Sequence, residues 1–105
     1  MKIKEFKKLL EDTFEKSRKT YDYKMNEYAT DLDVFQSFRE GVGFSFQDTP
    51  EGVAWNYACK HFESIKNIIS KVSDEVPTDE LLDEKIGDAI NYLIIIKGLI
   101  KERGD

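Results

Sequence analysis

An all-α bundle of four or five helices, expected to be dimeric, is what this sequence predicts, and three observations predict the helices. Apolar residues recur at spacings of three and four along most of the chain. Thr49-Pro50 and Pro77-Thr78-Asp79 have the chemistry of helix starts, a capping hydroxyl beside a proline. Only 2 Pro and 6 Gly occur in 105 residues, too few for a sandwich of short strands and tight turns. That length holds one modest core, so residues 1–105 are read as a single all-α domain.

Ile3, Phe6, Leu9, Leu10, Thr13 and Phe14 share one side of a first helix, expected over about residues 2 to 20. Lys4, Lys7, Lys8, Glu11, Asp12 and Glu15 fill its other faces. Tyr21 to Thr30 has no clean period and is expected to be an irregular, aromatic-rich connection. Thr30 or Asp31 can cap a short helix holding Leu32, Phe35 and Phe38. Glu40 to Pro50 carries two glycines and is expected to be a loop, with Phe44 and Phe46 turned onto the core. Thr49 and Pro50 open a helix to about residue 72, with Ala58, Phe62, Ile65, Ile69 and Val72 at helical spacing. Ser73 to Val76 is a polar connection. The last helix is expected over about residues 79 to 102, with Asp79 and Glu80 in its first turn, where the helix dipole favours acids.

The net charge is −5 and the pI about 4.9, so the basic footprint of a nucleic-acid binder is missing. The longest apolar run, Tyr92 to Ile96, is far short of a membrane span. The first six residues are charged and do not read as a signal peptide. The single cysteine, Cys59, excludes an intrachain disulfide and fits a reducing compartment, so the expected location is the cytoplasm. Cys59 lies among Trp55, Ala58 and Phe62 and reads as a buried structural thiol. His61, two residues on, diverges from it on a helix, which rules out a Cys–His dyad.

The last helix carries the most informative pattern. Leu82, Ile86, Ala89, Ile90, Leu93, Ile96 and Ile100 make an ordinary core face. Glu84, Asp88, Asn91 and Ile95, spaced 4, 3 and 4, make a second stripe roughly opposite. The plain reading of Glu84 and Asp88 is a solvated surface. Two features oppose it. Leu81, Tyr92, Ile95 and Leu99 lie on the same side, so the helix is expected to be buried on both sides, and a homodimer would supply the cover. Two acids one turn apart also repel by a few tenths of a kcal/mol, ~0.2–0.5 on a bare helix, and want a cation. Hard oxygen ligands select Mg²⁺ or Mn²⁺. Lys60 and Glu63 read as an exposed ion pair, His61 as a surface or packing residue, and Lys24 and Arg39 as solvated cations able to hold phosphate.

The segment Lys24-Met-Asn-Glu-Tyr-Ala-Thr-Asp-Leu-Asp-Val-Phe-Gln-Ser-Phe38 resembles a conserved stretch of small phage proteins of the nucleotide-modification-associated family. Glu84-Lys-Ile-Gly-Asp88-Ala-Ile-Asn91-Tyr92 is similar to that family's E-x-x-x-D-x-x-N-Y helix, and Lys60-His61 falls where the family has a lysine-bearing helix. The three blocks keep the family's order over about residues 18 to 101. The family is in turn distantly similar to the all-α nucleoside triphosphate pyrophosphohydrolases of the MazG-like group. That resemblance implies a helical dimer binding Mg²⁺ and cleaving a nucleotide between its α- and β-phosphates. It implies Glu84 and Asp88 as metal ligands and Glu63 as the residue completing the site or orienting water. Lys24, Arg39 and Lys60 would bind the phosphates. The helix over 50 to 72 lacks the group's E-x-x-E pair; Glu63 stands there without an acidic partner. That supports an alternative: a non-catalytic phage accessory protein that binds a nucleotide or a host protein.

Overall fold

The computed structural model describes the backbone of residues 1–28 and 33–104, and the side chains of 1–23 and 33–104. Among the described residues the fold is all-α, with four helices: α1 (Ile3–Tyr28), α2 (Gln36–Phe44), α3 (Pro50–Lys71) and α4 (Asp79–Arg103). The two proline-led starts act as expected. The Thr49 hydroxyl accepts from the Gly52 N–H at 3.0 Å and the Thr78 hydroxyl from the Leu81 N–H at 3.2 Å, each satisfying one donor that a helix start leaves unpaired.

Two boundaries differ from the sequence reading. α1 runs on to Tyr28 through the stretch expected to be irregular. No Gly or Pro interrupts residues 3–28. Once nucleated, a helix adds each residue cheaply even where no single face is apolar. α2 continues through Gly41 and Gly43 into the expected loop. Gly41 is there for proximity: a Cβ on it would stand 2.8 Å from Val53 Cγ1. Phe44 and Phe46, expected on the core, are exposed. The expected caps Thr30 and Asp31, and Leu32, lie outside the described residues; Asp33 Oδ1 accepts from the Phe35 N–H at 3.0 Å just before α2.

α3 and α4 run antiparallel. Glu51, at the start of α3, pairs with Arg103, at the end of α4, while Lys71 and Asp79 flank a short connection. α2 lies across this pair. Phe38, Val53, Ala54 and Leu99 are buried together, with Phe35, Val42, Tyr92, Ile95 and Ile96 packed around them. Of the residues expected to need a partner's cover, Leu99 is buried within the chain, Tyr92 and Ile95 are partly buried against the same core, and Leu81 is exposed. α2 and α3 supply the cover, Phe38 meeting both Tyr57 and Tyr92 edge-on at ring separations of 6.2 and 6.4 Å. Cys59 is half-buried.

α1 packs on α4 alone among the described elements. The two meet at small residues. Ser17 is buried against Gly87, and the Asn91 side-chain amide donates to the Ser17 carbonyl at 3.1 Å. No helix among the described residues is long and apolar enough to cross a membrane.

Candidate functional site

The Ser17–Gly87 crossing fixes a cleft on its polar side. Gly87 lets α1 lie close, and the residues one turn either side then face each other across the gap. Lys16, Lys19 and Thr20 of α1 stand opposite Glu80, Asp83, Glu84 and Asp88 of α4 around an open volume of about 570 Å³. That volume is in the range of small-ligand sites. Lys16 Nζ meets Asp83 Oδ2 at 2.9 Å, and this hydrogen bond raises the lysine's pKa above its ordinary value. Lys16 therefore keeps its charge at any physiological pH.

Glu84 and Asp88 share the cleft but not the environment. Asp88 is buried at 6% exposure, in the shelter of the α1 crossing and of α3. His61 Nδ1 of α3 lies 3.8 Å from Asp88 Oδ2. The His61 ring stacks on Tyr92 at 4.9 Å between centroids and 28° between planes, which sets the orientation of the imidazole. Glu84 lies one turn earlier at the mouth of the cleft, its side chain 61% exposed, with Lys85 Nζ 3.8 Å from Oε1. The expectation that both acids are sheltered thus fits Asp88, and Glu84 departs from it, its side chain lying at the open edge of the groove.

The remaining predicted site residues separate. Lys60 is exposed and lies over the Tyr57 ring, 5.6 Å from its centroid, and among the described residues no ion pair joins it to Glu63. Tyr57 tilts against Tyr92, so a run of rings links Lys60 to His61 and Asp88. Glu63 is exposed, about 200° around α3 from His61 and so on the side of that helix away from Asp88. Arg39 is bound by both Asp33 and Glu102, and those carboxylates raise its pKa, Glu102 first. Glu102 is about 21 Å beyond Asp88 along α4, which places Arg39 at the opposite end of the molecule. The side chain of Lys24 lies outside the described residues. Among the described residues no group of three or more His, Cys, Asp or Glu side chains is placed to enclose a metal ion.

Lys16, Lys19 and Asp83 were missed by the sequence reading. Their signal was indirect. Ser17 and Gly87 are the small residues set within two otherwise large-residue faces, and small pairs of this kind mark where helices cross closely.

Two carboxylates one turn apart are the kind of partial donor set that Mg²⁺ takes when water and phosphate oxygens complete its shell. Comparison with family models, with curated proteins and with solved structures finds no match to this chain.

Proposed function

We propose that the α1–α4 cleft binds the phosphates of a nucleotide together with Mg²⁺, in the manner of a pyrophosphohydrolase-like protein of phage type. The observation that carries this reading is that Lys16 and Lys19 of one helix and the acids Glu80, Asp83, Glu84 and Asp88 of another line one open groove of about 570 Å³. Such mixed charge suits a ligand that is itself an anion masked by a cation. Bound Mg²⁺ would supply charge neutralisation on the phosphates and activation of water. Asp88 and Glu84 would hold it, Lys16 and Lys19 would turn from Asp83 and Glu15, which they meet at 2.9 and 3.2 Å, to orient the phosphate oxygens, and His61 would keep Asp88 in place. The reaction adds one water across the α–β anhydride, breaking that P–O bond and releasing monophosphate and pyrophosphate. The resemblance of Glu84 to Tyr92 to the phage helix supports the same reading. In this reading the working unit is a homodimer, which the exposed apolar surface of α1 supports.

A second reading, nucleotide binding without cleavage, is favoured by the position of Glu63 on the outer side of α3. Titration calorimetry with deoxynucleoside triphosphates, with and without Mg²⁺, separates the two when paired with a pyrophosphate-release assay. Metal-dependent binding that Asp88→Asn weakens at least tenfold, followed by pyrophosphate release, is the expected result. Metal-dependent binding without release selects the second reading. No binding in either condition removes both.

A further inference from the structure

α1 carries more apolar surface than its contact with α4 uses. Ile3, Phe6, Leu10 and Phe14 lie within about 60° of Ser17 around the helix, so the docked face continues for roughly four turns toward the N-terminus. α4 does not follow it there. Ile3 is 78% exposed, Phe6 56%, Leu10 46% and Phe14 53%. A continuous stripe of this kind on a soluble helix is ordinarily covered.

The surface of the whole chain agrees. It exposes 8409 Å², about 2,300 Å² more than the roughly 6,100 Å² of a compact monomer of 12.2 kDa. Its radius of gyration is 15.8 Å, against about 13 Å for a compact chain of 105 residues. A specific interface takes around 800 Å² from each partner, so the excess is sufficient for a stable dimer.

The charges beside the stripe identify the partner. Residues 2–8 hold Lys2, Lys4, Lys7 and Lys8 against Glu5 alone, and residues 11–15 hold Glu11, Asp12 and Glu15 with no base. Two copies of α1 laid antiparallel set each basic block beside an acidic one. Laid parallel, they set like beside like. We propose that α1 pairs antiparallel with α1 of a second copy, about a two-fold axis near Leu9 and Leu10, burying Phe6, Leu10 and Phe14 of both. This rests on the homodimer reading and adds the face and the direction.

Sedimentation equilibrium on the full, untagged chain tests the face. The expected mass is twice 12.2 kDa, and Phe6→Glu combined with Leu10→Glu should halve it. Disulfide cross-linking tests the direction. In a Cys59→Ala background, Phe6→Cys and Thr13→Cys chains mixed together should give the mixed disulfide and little of either self-linked product, since both positions lie on the stripe and face each other across the proposed axis. A wild-type mass of 12.2 kDa at all concentrations overturns the homodimer reading and the pairing with it. A dimer that survives Phe6→Glu/Leu10→Glu overturns the pairing alone, and self-linked Phe6→Cys overturns the antiparallel direction.

Discussion

A Cβ placed on Gly87 would stand 3.2 Å from Ser17 Oγ, so the separation of α1 and α4 is set by the absence of a side chain at one position. Gly87→Leu would force the helices apart. Overpacking of this kind costs ~1–3 kcal/mol, against a gain of about 1 kcal/mol in helix propensity. The forced separation also breaks the Asn91–Ser17 hydrogen bond, worth roughly 1 kcal/mol. The net expectation is a melting temperature lower by roughly 4 °C or more, read by circular dichroism. A rise, as propensity alone would give, would mean that α1 is not docked there.

α2 holds an internal control. Gly41 faces Val53, which is 2% exposed and stiff at χ1, whereas nothing lies within 4 Å of a Cβ on Gly43. Gly43→Ala should stabilise by ~0.5–1 kcal/mol through helix propensity. Gly41→Ala should forfeit that gain and destabilise by about 1 kcal/mol, since the 2.8 Å approach to Val53 Cγ1 must be relieved by moving a packed side chain. Equal effects in urea titrations of the two variants would contradict the α2–α3 packing.

Leu99 is 3% exposed between Phe38, Val53 and Ala54. Leu99→Ala should cost ~2–5 kcal/mol, a large share of what so small a core supplies. A denaturant midpoint close to that of the wild type would place Leu99 outside the core.

Acid stability has a specific site. The Arg103 guanidinium beside Glu51 holds that carboxyl below its usual range, and the carboxylate in turn raises Arg103. A carboxyl that binds its proton more weakly when folded contributes stability above its unfolded pKa, about 4.3, and loses it as pH falls through the folded value. Glu51→Gln should therefore lower the melting temperature at pH 7 slightly and flatten its decline below about pH 4.3. Asp33, lowered by the Phe35 N–H first and by Arg39 as well, titrates in the same direction, so some decline should remain. An unchanged acid limb would show that the Glu51–Arg103 pair does not hold in solution.

The helices were legible where local chemistry decides. Thr49-Pro50 and Thr78 fixed the starts of α3 and α4, because a capping hydroxyl acts within three residues of itself. Partner choice was not legible. The 3.6-residue period showed two apolar sides on α4 but could not say that the core of the same chain buries Leu99 and part of Tyr92 and Ile95. It equally showed the apolar stripe of α1 without showing that α4 covers only its Ser17 end. The site divides in the same way. Asp88 was picked out by its spacing from Glu84 and Asn91, while its neighbours Lys16 and His61 come from helices whose approach depends on Gly87 and on the α3–α4 pairing. Arg39 looked available for phosphate because Asp33 and Glu102, its two partners, are six and 63 residues away in the chain.

That α1 rests on α4 alone has a consequence for the order of events in assembly. α3 and α4 are neighbours in sequence, so their contacts close a short loop and should form early, with α2 completing the core. α1 adds last and can detach without unravelling that core. Amide protons of α1 should then exchange with solvent water faster than those of α3 and α4, and their protection should rise with protein concentration if a second copy clasps the helix. Uniform protection across all four helices would mean that the chain opens only as a whole.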